Sequence, residues 1–252
     1  MKSVFVKGWR PLVVLLLLFA LWEFSVTITD TPKWLLPAPT QIFVEGFVGW
    51  NNFYPDVLST IQIAVFGLVL GFLFGLIVAL VLHLLPAVRQ AFYPLLILSQ
   101  NIPIIVLAPL LVIWFGFGVL PKLIVIVLVC FFPITVAMLD GFRQTSAELK
   151  HYLLMAGASK RQLFWKLELP SALPAMFSGL KIAATYSVMG AVISEWLGAQ
   201  KGVGVYMTLA SSAFRTDRVF VAIFTIMFLS LLLFFIIAFI EKKAVYWSGK
   251  NE

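Results

Sequence analysis

Six apolar runs, residues 11–28, 58–85, 94–115, 123–139, 180–197 and 219–240, divide this chain. A hydrocarbon core of about 30 Å is crossed by about 20 helical residues. No water is present there to satisfy backbone groups, so each span must bond its own N–H and C=O groups as a helix. The expected fold class is all-α: one polytopic transmembrane domain over residues 1–252 with six membrane helices. The chain is 62% hydrophobic and 12% charged, far from the ~25% charge of soluble domains. Residues 58–85 are too long for one upright span and are expected to tilt or project.

Loop charges orient the protein. With the N-terminus inside, the inner segments hold Lys2, Lys7, Arg10, Arg89, Arg143, Lys150, Lys160, Arg161, Lys166, Lys181, Lys242, Lys243 and Lys250, which is 13 of the 18 basic residues. Lys33, Lys122, Lys201, Arg215 and Arg218 remain outside. The positive-inside rule then places both termini and the loop 141–179 in the cytoplasm. The net charge of +7 reads as this loop bias and as contact with anionic lipid, not as nucleic-acid binding. Lys2, Lys7 and Arg10 before an apolar run resemble a signal peptide, but no small-x-small cleavage site follows at once, so the run is read as a retained span.

Several chemistries lack their residues. There is no GxxxxGK(S/T) phosphate cradle, no HExxH and no GxSxG. Cys130 is the single cysteine and forms no internal disulfide or cysteine cluster. His83 and His151 are far apart with no flanking ligands, so no metal site is expected and each reads as an interfacial histidine. A self-contained enzyme is not expected.

The spans carry their own signals. Gly67, Gly71 and Gly75 recur every four residues on one helix face, which suits close approach of another helix in this chain or in a second subunit. Gln100, Asn101, Pro103, Pro109 and Trp114 mark the third run as proline-bent: a packing helix with a polar cap, or a pore-lining helix. Met189, Ser194 and Glu195 are the corresponding candidates on the fifth run. For Glu195 an interfacial or structural charge stands beside a place in a translocation path. The outer segment 29–57 is expected to hold a short interfacial helix capped by Thr40.

The segment 148–174 between the fourth and fifth runs is polar and basic. A short helix over 148–156 should end on Gly157 as a left-handed cap. Ser159 should cap a second helix over 160–169, before Pro170 and Pro174. On physical grounds the hairpin either lies on the membrane surface or is a rigid knob presented to a soluble protein.

The hairpin resembles the cytoplasmic signature of permease subunits of ATP-binding-cassette importers: Glu-Ala-Ala, three residues, Gly, nine residues, Ile, one residue, Leu-Pro. Gly157 takes the glycine, and Leu167-Glu168-Leu169-Pro170 follows at the right distance. His151-Tyr152-Leu153 stands where the family has Glu-Ala-Ala. Leu36-Pro37-Ala38-Pro39-Thr40, the stretch 103–118, Ile193-Ser194-Glu195-Trp196-Leu197-Gly198-Ala199 with Gly202-Val203-Gly204, and Arg215-Thr216-Asp217 are similar to the nitrate, sulfonate, taurine and thiamine-precursor branch of the binding-protein-dependent permeases.

The resemblance implies a multi-pass protein of the bacterial inner membrane. It implies two permease copies, as a homodimer, two cytoplasmic ATPases carrying ATP and Mg, and an extracytoplasmic solute-binding protein; no cofactor is implied on this chain. Gly157, Ala158, Ser159, Lys160, Arg161, Leu169 and Pro170 would form the ATPase-docking segment. Gln100, Asn101, Pro103, Trp114, Met189, Ser194 and Glu195 would border the path of a small polar solute, with a thiamine-precursor pyrimidine favoured over sulfonate, taurine or nitrate. The alternative is a stand-alone secondary transporter or channel, which calls for inverted repeats and intramembrane charge pairs. Neither is visible in the sequence.

Overall fold

The computed structural model describes residues 2–246, with side chains from Trp9 onward. Of the orientation reading, Lys250 lies outside the described residues, and the side chains of Lys2 and Lys7 outside the described side chains. Among the described residues there is no strand. The helices are α1 Lys2–Ile28, α2 Pro39–Val48, α3 Trp50–Leu84, α4 Pro86–Ser99, α5 Ile104–Phe115 and α6 Val119–Arg143. They continue with α7 Ala147–Met155, α8 Lys160–Leu163, a π turn Phe164–Glu168, α9 Leu169–Glu195, α10 Val203–Ser212 and α11 Thr216–Ala244. Among the described residues, five segments are long and apolar enough to cross a membrane: Trp9–Ile28, Trp50–Leu84, Val119–Arg143, Lys160–Glu195 and Thr216–Ala244. The pair α4 and α5 makes a sixth if taken as one span, but it is bent by 98°.

That bend departs from the single span read over 94–115. Pro103 supplies no N–H and disfavours the helical region for Ile102. Side chains cap the end of α4 locally: Ser99 Oγ donates to the Leu96 carbonyl at 2.7 Å, and Asn101 Nδ2 to that of Ile97 at 3.1 Å. Pro109, by contrast, stays inside α5.

A second departure is at Pro170, which does not interrupt the chain. Helical geometry runs from Lys160 to Glu195. The π turn places the Leu169 N–H on the Phe164 carbonyl. This wider turn lets Pro170 enter at the start of α9, where its missing donor costs least.

The core is formed by α3, α6 and α9. The glycine stripe of α3 faces α6 within this chain: a Cβ on Gly71 would lie 2.6 Å from Cys130 Cβ, and one on Gly75 2.7 Å from the Phe131 carbonyl. Thr135 Oγ1 crosses this seam to donate to the Gly75 carbonyl at 3.0 Å. Gly71→Val is therefore expected to lower stability by about 2 kcal/mol through overpacking, read as a drop in the melting temperature of detergent-purified protein. An unchanged melting temperature would contradict the seam.

α2 was expected with Thr40 as its cap. It begins at Pro39 instead, with Ala38 in the cap position and proline presetting the first turn. The capping acceptor comes from α1: Glu23 receives the Thr40 N–H at 3.0 Å and its hydroxyl at 2.7 Å.

Candidate functional site

The hairpin between α6 and α9 is built from local capping. Ser146 accepts from Leu149 N–H to start α7. At its end Gly157 has φ +85, its N–H donates to the Leu154 carbonyl, and Ala158 N–H donates to that of Leu153, both at 3.0 Å. This pair of crossed bonds is a Schellman stop. Ser159 then opens α8 with a capping box: Gln162 N–H reaches Ser159 Oγ, and Ser159 N–H reaches Gln162 Oε1 at 2.8 Å. Two caps on either side of one glycine fix the reversal without help from the membrane helices.

The tip is exposed. Gly157, Ser159, Lys160 and Arg161 are exposed and Ala158 half-buried. A side chain at Gly157 would meet nothing within 4 Å. α7 buries none of its residues, and Leu149, Tyr152 and Met155 form an exposed stripe at helical spacing, Met155 at 83%. Leu169 and Pro170 stand apart from this surface. They are half-buried where the π turn joins α9.

Behind the tip lies a charged cluster that sequence reading missed. Glu168 is buried and accepts from Lys150 Nζ at 2.6 Å, with His83 Nε2 at 2.8 Å on its other oxygen. The His83 ring stacks on Phe142, centroids 3.9 Å apart, with Phe164 beside both. His83 is thus not an unpartnered interfacial histidine. Its partner lies 85 positions away, so no local pattern signals the pair. A second pair, Lys181 Nζ to Glu241 at 2.7 Å, joins α9 to the last turn of α11.

The path candidates separate. Gln100, Asn101, Pro103, Trp114 and Met189 are exposed on the protomer. Gln100 and Pro103 line a cleft of about 360 Å³ inside the α4–α5 elbow, closed by Leu128, Val129 and Phe131 of α6. Met189 shares an exposed face of α9 with Ile182 and Tyr186. Ser194 and Glu195 are buried instead. Ser194 Oγ turns back to the Ala191 carbonyl.

Glu195 serves α10. It is 2% exposed. Its oxygens accept the Thr60 hydroxyl at 2.7 Å and the Gly204 N–H at 2.8 Å. Thr60 Oγ1 accepts Val203 N–H, and Asp56 accepts Gly202 N–H, both at 2.9 Å. The N–H groups of the cap residue Gly202 and of the first two residues of α10 are thereby satisfied, and a carboxylate sits at the positive end of the helix dipole. Gly202 is held at φ +134, and a Cβ there would overlap the Glu195 carboxylate. Ser194 and Glu195 are buried within the protomer, while the other candidates are on its open surface. α10 was not foreseen, because a ten-residue helix is too short to stand out among membrane spans.

A bundle of apolar helices with an elbowed pair and an exposed, doubly capped hairpin defines a polytopic, all-helical membrane protein. Comparison with known proteins places it further. Residues 71–246 match the family of binding-protein-dependent transport system inner membrane components. The formylaminopyrimidine transport permease ThiX of Halalkalibacterium halodurans is 37% identical over 96% of this chain and 97% of its own. A probable ABC transporter permease of Haemophilus influenzae is 35% identical over 95% and 97%. The riboflavin permease RibX of Chloroflexus aurantiacus is 30% identical over 94% and 89%. This chain belongs to the binding-protein-dependent, ABC-type permeases of the inner membrane.

Proposed function

We propose that this chain is the membrane subunit of an ATP-driven importer for a small nitrogen heterocycle, with a thiamine-precursor pyrimidine as the leading substrate. The observation that carries the transport role is the hairpin: a self-capped reversal at Gly157 with an open tip and an exposed Leu149–Tyr152–Met155 stripe. Such an apolar stripe on a basic segment suits the groove of a soluble partner. Two ATPases would each take one hairpin, from a pair of permease copies, with the hairpins and both termini in the cytoplasm. The second copy would cover the face formed by the α4–α5 elbow and Ile182, Tyr186 and Met189, leaving the path between them. The substrate leaning is supported by the full-length relatives named for formylaminopyrimidine and riboflavin, both nitrogen heterocycles.

The test is a pull-down of this protein from detergent-solubilised membranes, with ATPase activity assayed in the eluate. A co-purifying P-loop ATPase supports the importer; its absence moves a stand-alone transporter to the front. The substrate is tested with the solute-binding protein encoded beside it. Tight binding of formylaminopyrimidine is expected. Tight binding of taurine or alkyl sulfonates, with none of the pyrimidine, would reject the heterocycle.

A further inference from the structure

We infer that Lys150, Glu168 and His83 form the joint that transmits movement of the hairpin into the membrane helices. The inference rests on the ATPase-docking role proposed above. α7 carries the outward stripe but buries none of its own residues, so packing does little to fix it to the bundle. Among the described residues, Lys150 makes the side-chain bond from α7 to the spanning helices, at 2.6 Å to Glu168. Glu168 is buried in the π turn that opens α9, and its second oxygen meets His83 near the C-terminal end of α3. One carboxylate therefore ties the hairpin helix to two of the three core helices.

The placement suits transmission. The carboxylate is buried with both oxygens engaged, which makes its bond to the half-exposed Lys150 directional, and losing the lysine leaves one oxygen of a buried charge without its partner. The π turn puts an extra residue into the first turn at this point, which orients Glu168 inward while Leu169 and Pro170 continue the helix. Phe142 under the His83 ring, with Phe164 beside it, limits how the histidine can turn. In the family's signature Glu168 occupies the one position left unspecified between the apolar residue and Leu-Pro, so the motif itself assigns it nothing. Movement of α7 must either carry α9 and α3 with it or break the pair. These are positioning residues: they touch neither solute nor nucleotide.

The experiment uses the full transporter, co-expressed with its neighbouring ATPase and purified in detergent. Lys201→Cys, an exposed site just before α10, is labelled with a thiol-reactive bimane; Cys130 is buried and stays unlabelled. Fluorescence is read with and without ATP, beside Lys150→Met, whose parent side chain is 45% exposed and tolerates replacement. Expected is a drop of about ten-fold in the ATP-induced change, the size of a typical coupling, with the ATPase still bound and hydrolysing. The exchange Lys150→Glu with Glu168→Lys is expected to restore it. A full ATP response in Lys150→Met overturns the joint while leaving ATPase docking intact. Loss of the ATPase from Lys150→Met also overturns it, since the pair would then serve docking. A label that responds to ATP in neither protein does the same, because nothing reaches the α10 end. Absence of ATPase from the parent itself rejects the docking role, and the joint with it.

Discussion

Replacing Glu195 with alanine is expected to lower stability by about 3 kcal/mol, the largest effect of any single side chain in the α10 region. The Gly204 N–H and the Thr60 hydroxyl would lose their acceptor, and each unsatisfied buried group costs about 1–3 kcal/mol. A cavity beneath Gly202 and loss of negative charge at the α10 N-terminus add to this. Glu195→Gln keeps the volume and one acceptor but turns an amide donor toward a donor, so about 2 kcal/mol is expected. The melting temperature of detergent-purified protein should fall in the order wild type, Gln, Ala. Equal values for all three would mean that the carboxylate does not cap α10. Glu23 repeats the device on α2 from the C-terminal part of α1: in each case a glutamate of a spanning helix accepts from the start of the short helix after it.

Gly157→Asp is expected to cut ATPase binding by about thirty-fold, equivalent to about 2 kcal/mol for a desolvated, unmatched charge at an interface. The substitution separates docking from folding, because the tip offers open space around a new side chain. Its local cost is that of a positive φ for a residue with a Cβ, about 1 kcal/mol, and aspartate visits that region more readily than most residues. Protein yield and melting temperature should therefore stay close to the parent while co-purifying ATPase falls. Wild-type ATPase recovery with Gly157→Asp would sink the docking role of the tip.

The local features were legible because their causes are local. Apolar length marked the spans, since a bilayer rejects unsatisfied backbone whatever the tertiary arrangement. Gly157 and Ser159 were readable as stop and start signals because a Schellman stop and a capping box are completed within a few residues. The same locality misled at Pro170: a proline reads as a boundary, and only a π turn shows how it can be absorbed. At 94–115 the apolar composition was read correctly, but the bend of 98° between α4 and α5 is a three-dimensional outcome of Pro103 and its side-chain caps.

The sequence by itself determined the class: helical, multi-pass, with a patterned hairpin and no self-contained catalytic motif, because composition and near-neighbour spacing are sufficient for each of these. Only the tertiary structure decided what the charges do. Glu195, open to either a structural pair or a place in a path, caps α10; His83 looked idle and meets Glu168; the α3 glycines, open to either a neighbour or a second subunit, close on α6. Each depends on residues tens of positions away, brought together when buried polar groups must find partners and helices must exclude voids.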